Sequence, residues 1–432
     1  MNASESRDIP LACEVEVLVL GGGPTGVAAA VAAARAGRRT LLVERYGFCG
    51  GMATAGMSGA ICGLFASGRE HRYEQLAHGF AGEFYHHLKL RGGAAQPVPF
   101  GETGIVVHDP LVWKEVADDL LGESGASILY HTLATDVVMD GDAIKAAVVE
   151  NKGGRFLVGA SRFVDATGDA DVCFRAGVPT AFGRDGVVQY ATMAFRMSGV
   201  DVPRACAHPP ALVEEWIAAA DGAGYVLPRK HIYLLASPRP GEVLCNATAV
   251  FKPGGAPLDA TRAEDLTFGE IAGRRQVREY ERFLRDRVPG FEKAFVNDTG
   301  VQIGIRQSRT ITGLGRLAND DVFKARKSAR SVAKSAWCIE AHGADGIFLF
   351  YLDNDYYDIP YDALVPERVA NLITGGRALS AEHEALASAR VTAQCFLTGY
   401  AAGHAAHLSL RDRKPFADVD VTELRSRIEY AV

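Results

Sequence analysis

Residues 14–44 read EVEVLVLGGGPTGVAAAVAAARAGRRTLLVE, and this stretch decides the fold. The β-branched and leucine residues over 14–20 predict a buried strand. Pro24 fits the first turn of an alanine-dense helix, and Gly37 fits the cap that ends it. Residues 39–43 then predict a second strand. The stretch is therefore a βαβ unit, which is typical of α/β proteins with a parallel sheet.

The glycines after the first strand fit the G-x-G-x-x-G pattern of a phosphate-binding turn. Gly21 serves the tight turn, Gly23 lets the backbone approach a pyrophosphate, and Gly26 permits close packing of the helix on the strand. Glu44 lies eighteen residues beyond Gly26, at the end of the second predicted strand. A carboxylate in this place accepts both hydroxyls of an adenosine ribose and repels a 2′-phosphate. The pattern predicts a dinucleotide site.

A second pair of glycines, Gly50 and Gly51, follows the acid within RYGFCGGMAT, residues 45–54. A nicotinamide dinucleotide has no need of a second close backbone approach there. A cofactor with a bulky redox ring that crosses its own binding domain does need one. The pair therefore favours FAD over NAD.

With these motifs the chain resembles the FAD-dependent oxidoreductase family of the glutathione-reductase-like superfamily, which has two dinucleotide-binding domains. Four blocks carry the resemblance. They are LVLGGGPTGVAAAVAAARAGRRTLLVERYGFCGGMAT at 18–54, FVDATGDAD at 163–171, GIRQSRTITG at 304–313 and NLITGGRALSAEHEALASARVTAQCFLTGYAAGHAA at 371–406. The blocks span nearly the whole chain in the family's order.

The resemblance implies a Rossmann-like FAD-binding domain of the glutathione-reductase type with an inserted α+β substrate or cap domain. The expected segments are 14–180 and 346–432 for FAD binding and 181–345, where prolines gather, for the cap. We expect FAD to be bound non-covalently, since no histidine follows Gly51 directly. The expected contacts are Gly21, Gly23, Pro24, Thr25, Gly26, Glu44, Arg45, Gly50, Gly51, Met52, Ala134, Ala166, Thr167, Gly168, Asp169, Gly375, Gly376, Arg377, Arg390 and Val391.

Five side chains are candidates for the chemistry. Arg306 and Arg309 share one face on a helical turn and point to opposite faces on a strand. A fixed guanidinium can bind a substrate carboxylate, polarise a carbonyl or serve only a salt bridge between domains. His342 and His383 are candidate general bases, with a satisfied structural histidine as the alternative. Tyr361 can donate from its hydroxyl or simply pack.

The favoured function is hydride transfer between a small organic substrate and FAD. A flavin-dependent monooxygenase is the alternative, and an FAD-binding protein that is non-redox or associated with RNA is a minor one. The interior has no second G-x-G-x-x-G after a strand, so a separate NAD(P)H-binding domain is not expected. No sequence feature names the substrate.

Composition limits the partners. The 432 residues are 48% hydrophobic and carry a net charge of −6 without a basic tract, which argues against nucleic acid. The eight cysteines form no C-x-x-C pair, so no metal site is expected. No apolar run reaches the roughly 18 residues of a membrane span, and the first residues do not fit a signal peptide. We expect a cytoplasmic enzyme with a small-molecule substrate, and the sequence leaves open whether it is a monomer or a homo-oligomer.

Overall fold

The computed structural model describes residues 9–220 and 222–428, in which twenty strands and eleven α-helices follow one another. The strands are β1 Leu11–Leu20, β2 Thr40–Val43, β3 Ala60–Ile61, β4 Val98–Phe100, β5 Thr103–Val107, β6 Ser127–Leu129, β7 Leu133–Asp140, β8 Ala143–Asn151, β9 Gly154–Asp165, β10 Thr180–Phe182, β11 Phe195–Ser198, β12 Tyr233–Ala236, β13 Glu242–Asn246, β14 Phe295–Thr299, β15 Arg309–Ile311, β16 Ser331–Ser335, β17 Ile339–Gly343, β18 Gly346–Phe350, β19 Tyr357–Pro360 and β20 Leu372–Thr374. The helices are α1 Pro24–Arg35, α2 Gly79–Leu90, α3 Pro110–Ser124, α4 Asp171–Arg175, α5 Val202–Ala205, α6 Pro210–Ala220, α7 Ala263–Arg287, α8 Asn319–Phe323, α9 His383–Ala389, α10 Thr392–Asp412 and α11 Val421–Arg427.

The main sheet has the strand order β6-β2-β1-β9-β8-β7, with β20 also paired to β9. Strands β6, β2, β1, β9 and β20 run parallel, whereas β8 pairs antiparallel with both β9 and β7. Leu20 is paired with both Val43 and Asp165, and Asp165 is paired with Thr374. Four strands therefore end together at one edge, which is where open α/β sheets bind ligands. The predicted α/β fold with a parallel Rossmann-like sheet is confirmed.

Helix α10 packs directly on α1 through two glycines. A Cβ added at Gly399 would lie 2.1 Å from the carbonyl oxygen of Thr25, and one at Gly403 would lie 2.2 Å from that of Ala29. The two backbones approach too closely for any side chain between them. The sequence predicts a long helix from residue 390 onwards, and the structure begins it at Thr392 because Val391 is still extended.

A second layer is built from an antiparallel sheet in the order β12-β13-β11-β14, with α6 and α7 packed on it. Its hydrophobic cluster draws mainly on residues 191–305. Leu317, Val332 and Ile339 instead pack in the cluster of the main sheet, and the hairpin β17–β18 crosses residue 345. The expected cap segment 181–345 therefore extends beyond this second layer.

The charged pattern over residues 263–287 forms a helix, α7, as the sequence predicts. Its exposed arginines pair with glutamates one turn away, as Arg274 does with Glu270 and Arg282 with Glu279. This is the behaviour of a solvated helix face. Across residues 9–220 and 222–428, no helix combines the length and the apolar character that crossing a membrane requires.

Candidate active site

A groove of about 970 Å³ lies at the edge where β1, β2 and β9 end. Fourteen of the expected FAD contacts line it: Gly21, Gly23, Pro24, Thr25, Glu44, Arg45, Gly51, Met52, Ala134, Ala166, Thr167, Gly168, Arg377 and Arg390. The groove thus runs from the glycine turn past the acid at the end of β2 to the start of α10. Its walls come from segments far apart in sequence.

The turn after β1 has the geometry that its glycines permit. Gly21 has φ +105°, and a Cβ there would lie 2.4 Å from the carbonyl oxygen of Ala166. A Cβ at Gly26 would lie 1.8 Å from the carbonyl oxygen of Gly21. The amide of Gly50 donates to the carbonyl oxygen of Gly22 at 2.7 Å, so the second glycine pair folds back onto the first turn. The result is an exposed strip of backbone on which a pyrophosphate can lie.

Glu44 is buried at the groove wall with its carboxylate held by backbone amides. One oxygen accepts from the amide of Gly22 at 2.6 Å and the other from the amide of Tyr46 at 2.8 Å. Burial raises the pKa of Glu44, while these amide hydrogen bonds oppose the rise. Each oxygen keeps a further lone pair, which can accept a hydrogen bond from a ribose hydroxyl group.

Two arginines supply cationic donors that the described chain leaves unused. Arg377 pairs through Nη2 with Asp169 at 3.1 Å, but its buried Nη1 has no partner among the described residues. Arg390 donates from Nη2 to Gln189 Oε1 at 3.1 Å and to the Glu340 carbonyl oxygen at 3.2 Å, while its buried Nε is unpartnered there. Buried donors without acceptors are costly. Together with the glycine cradle they fit an anionic diphosphate cofactor.

The segment after β9 shapes the groove floor. The buried Asp165 accepts from the amide and the hydroxyl of Thr167 and from the amide of Cys173, which fixes the turn. Thr167 and Gly168 face the groove as expected. Asp169 does not line it, because its carboxylate is engaged with Arg377 and with the hydroxyl of Ser308.

Some expected FAD contacts have another position. Gly26, Gly50, Gly375 and Gly376 do not line the groove. Gly375 and Gly376 lie behind it, since a Cβ at either would meet the side chain of Thr25 within 3.0 Å. They let the β20 loop pack on α1. Val391 lines a neighbouring cavity instead.

Sequence reasoning missed several groove residues, among them Thr132, Leu133, Asp171, Thr392 and Cys395. Asp171 belongs to the quoted motif at 163–171, and Thr392 begins the predicted long helix, so both could have been named. Thr132 and Leu133 follow β6 at the same sheet edge. No local pattern marks that loop, and only the strand order brings it to the groove.

A second cavity of about 780 Å³ adjoins the groove. Met52, Arg377, Arg390 and Thr392 line both spaces. The remaining walls combine the second layer with the main domain: Gly56, Ser58, Ala60, Cys62, Thr192, Ala194, Asn246, Gly304, Ile305, Arg306, Glu340, His342 and Val391. A molecule in this cavity would lie next to whatever the groove holds.

His342 and Arg306 meet in this cavity, as a shared active-site role requires. The His342 ring contacts Glu340 Oε1 through Nε2 at 3.0 Å and the Tyr190 hydroxyl through Nδ1 at 3.1 Å. Burial, reinforced by the charge of Arg306, lowers the pKa of His342 to about 3, so the ring is neutral at neutral pH. Burial opposes the ionisation of Glu340, but the contact with His342 and the charges of Arg390 and Arg306 lower its pKa to about 2.

The other three candidates do not line either space. Arg309 opens β15, donates to the carbonyl oxygen of Asp169 at 2.9 Å and pairs with Asp171, so it braces the segment after β9. Tyr361 is fully buried and donates to the carbonyl oxygen of Phe416 at 2.8 Å, which makes it a packing residue. His383 begins α9 and lines neither space. These three therefore leave the list of candidate catalytic residues.

Taken together, the parallel sheet, the glycine turn and the acid after β2 define a dinucleotide-binding protein with an adjoining substrate-sized cavity. A match to a family model narrows this class of dinucleotide-binding proteins to one family. The chain belongs to the family of FAD dependent oxidoreductases, whose model matches residues 16–428. The protein is an enzyme, and FAD is its cofactor.

Solved structures of similar fold have low sequence identity. A geranylgeranyl bacteriochlorophyll reductase-like protein from Thermoplasma acidophilum has a TM-score of 0.51 and 14% identity, with 96% of this chain and 83% of that chain covered. The flavin-dependent brominase Bmp2 has a TM-score of 0.51 and 11% identity, with the same two coverages of 96% and 83%. At such identities the likeness concerns the fold alone. No curated protein matches the sequence significantly.

Proposed function

We propose that the enzyme transfers a hydride between a small organic substrate in the second cavity and non-covalently bound FAD in the groove. The observation that carries the proposal is the junction of the two spaces at Met52, Arg377, Arg390 and Thr392. Polar groups able to bind a substrate converge beyond that junction, and a mixed polar and apolar cavity is typical of small-molecule sites.

The groove residues would hold the neutral adenosine and the charged diphosphate of the cofactor. Glu44 would accept the hydroxyls of the adenosine ribose, and the turn at Gly21 and Gly23 would receive the pyrophosphate. The free donors of Arg377 and Arg390 would complete the neutralisation. When bound, FAD supplies the redox chemistry by accepting or giving the hydride.

The cavity residues would orient the substrate and hydrogen-bond the group next to the carbon that loses the hydride. Glu340 lines the cavity, and His342 holds one of its carboxylate oxygens. The other oxygen can accept a hydrogen bond from an O–H or N–H group on the carbon that loses the hydride. Tyr190 and Glu340 contact both ring nitrogens of His342, so neither nitrogen is free for the substrate. We therefore assign His342 a positioning role and Glu340 the direct contact with the substrate.

A flavin-dependent monooxygenase is the second candidate. The observation that favours it is the fold shared with a flavin-dependent brominase, an enzyme that also acts on its substrate by way of a flavin. The same groove and cavity would serve such a reaction. The difference lies in the source of the electrons and in the need for oxygen.

An anaerobic screen distinguishes the two candidates. The purified holoenzyme is mixed without oxygen with panels of small alcohols, amines and hydroxy acids, and the visible flavin absorbance is followed. Hydride transfer predicts that a substrate bleaches the flavin without NAD(P)H. Bleaching by NAD(P)H alone, with an oxygenated product only when oxygen is admitted, would instead establish the monooxygenase.

A further inference from the structure

The second cavity carries more positive than negative charge. Arg306, Arg377 and Arg390 line it, whereas Glu340 is the one carboxylate among its described lining residues. Arg377 is paired with Asp169. Arg390 also faces the cofactor groove, where a diphosphate would offset its charge. The carboxylate of Glu340 hydrogen-bonds to His342 and to none of these three guanidinium groups, since Arg390 reaches only the Glu340 backbone carbonyl oxygen, so the charge of Arg306 has no directly bound carboxylate.

A fourth cation, behind the cavity wall, adds to this excess. Arg229 is buried and donates to the carbonyl oxygen of His231 and to Asn246 Oδ1, and it lies 5.1 Å from the ring centre of Tyr233. None of these partners is anionic, and its Nη2 has no partner among the described residues. Buried cations without anions are strongly unfavourable. The cavity is therefore arranged to receive an anion.

The hydrogen bonds of Arg306 leave one edge of its guanidinium group free. Its Nη1 donates to the carbonyl oxygen of Tyr190 at 2.9 Å and to the hydroxyl of Thr192 at 2.6 Å. The Cζ atom of Arg306 also lies 5.2 Å from the centre of the Tyr190 ring. The two hydrogen bonds and this ring contact fix the plane of the guanidinium group. Nε and Nη2 remain without a hydrogen bond in the described chain. These two nitrogens form the side that binds a carboxylate through two parallel hydrogen bonds.

A neighbouring amide is oriented in a complementary way. Asn246 lines the cavity at the end of β13, and its Oδ1 accepts from Arg229 Nη1 at 2.5 Å. The Nδ2 group is thus left as its donor. Because Nδ2 donates and cannot accept, it offers an anion a further favourable contact. Asn246 and Arg306 line the same cavity.

Part of the remaining wall is apolar. Met52, Ala60, Ala194, Ile305 and Val391 line the same cavity and offer only aliphatic or thioether surface. Such walls suit the hydrocarbon body of a ligand whose charge is confined to one end. A free phosphate ester or a sugar would leave polar groups against these walls without partners.

We propose that the substrate is a small monocarboxylate with an aliphatic or aromatic body, bound through its carboxylate to Nε and Nη2 of Arg306. This inference rests on the proposed function for the role of the cavity. Arg306 would fix the substrate's orientation, and Glu340, which lines the same cavity, would accept from its O–H or N–H group. Arg306 is then the residue that selects acids over neutral analogues.

Ligand titration of the holoenzyme tests this assignment without knowledge of the true substrate. The probes are benzoate, 3-methylbutanoate and benzamide, and the readouts are the change in the visible flavin spectrum and the rise in Tm. We expect saturable binding of at least one carboxylate and none of benzamide. Arg306→Gln should weaken carboxylate binding about tenfold or more. Arg306→Lys should weaken it less, since lysine keeps the positive charge but lacks the two parallel N–H donors of the guanidinium group.

Arg278→Gln is the matched control, because Arg278 is exposed on α7 and pairs only with Glu281 in the described chain. It should bind the probes as the wild type does. Unchanged carboxylate binding in a yellow Arg306→Gln holoenzyme, equal binding of benzamide, or no response to either carboxylate would each overturn the assignment. A wild-type protein that holds no flavin would contradict the proposed function instead, so the two failures are distinguishable.

Discussion

At the scale of single residues, Glu44 joins the cofactor groove to the fold. Its two carboxylate oxygens accept from the amides of Gly22 and Tyr46, which belong to the two loops that form the adenosine end of the groove. The same oxygens are the acceptors available for the ribose hydroxyls. One charged group therefore shapes the loops and, in the proposed function, binds the cofactor, so its loss should affect both.

We predict that Glu44→Gln weakens FAD binding by about ten- to a hundredfold. The amide nitrogen of glutamine would face a backbone amide donor, and hydrogen bonds to a charged acceptor are each worth about 1.5–3 kcal/mol. Quenching of flavin fluorescence during titration of the apoprotein gives the Kd. Glu83→Gln, which removes only an exposed pair with Arg35, serves as the control. An unchanged Kd in Glu44→Gln would rule out the ribose contact.

The sequence predicts some of these residues and misses others for a physical reason. Gly21, Gly23 and Glu44 lie within one βαβ unit, where spacing along the chain determines position in space. Glu340 and Asn246 lie on β17 and β13, which reach the second cavity only through long-range packing. Tyr361 has suitable chemistry, but a short helical turn places it in the core. Tertiary packing determines where these three side chains lie, and no local sequence pattern indicates that packing.

At the scale of elements, the contact between α1 and α10 supports the groove from behind. Thr25 lines the groove at the start of α1, and its carbonyl oxygen lies against Gly399 of α10. The helices therefore cannot separate without moving the groove wall. The sequence indicates this contact through two glycines four residues apart, which share one helix face.

We predict that Gly399→Ala lowers the free energy of unfolding by about 1–3 kcal/mol and weakens FAD retention. The added methyl group would lie 2.1 Å from a backbone carbonyl oxygen, so α10 must shift, and overpacking of this kind has such a cost. Urea unfolding and the flavin content after dialysis measure the two effects.

Gly122→Ala is the matched control for this change. Gly122 lies in α3, and a Cβ there would meet nothing within 4 Å. The substitution should stabilise the protein by up to about 1 kcal/mol through helix propensity alone. Equal effects of the two substitutions would show that the α1–α10 contact has no special role.

At the scale of the whole molecule, stability should fall as the solution becomes acidic. Burial lowers the pKa of His342 to about 3 and the pKa values of His108 and His404 to about 4, against about 6.5 in an unfolded chain. Below pH 6.5 the unfolded state binds protons that the folded state does not. The stabilisation is thus complete above about pH 6.5 and is lost as the pH falls towards about 4.

We expect the three buried histidines to lower the free energy of unfolding by roughly 4 kcal/mol per pH unit between about pH 6 and about pH 5, since each contributes about 1.4 kcal/mol per unit, and Asp171, whose burial raises its pKa to about 6, to offset about 1 kcal/mol of this fall. Urea unfolding across this range measures the slope. His404→Leu should reduce the slope by about a third, and replacement of the exposed His86 by Asn should leave it unchanged. A slope near zero in the wild type would contradict the buried neutral histidines.

The molecule as a whole combines a groove at one sheet edge, which we propose for FAD, with an adjoining cavity, which we propose for the substrate. The most direct test of this arrangement is the identity and amount of cofactor released when the purified protein is denatured. The account predicts FAD in a ratio of about one per chain, released without proteolysis because it is not covalently attached, and much reduced in Glu44→Gln. A colourless protein that cannot be reconstituted with FAD, or one that releases a nicotinamide dinucleotide instead, would contradict it.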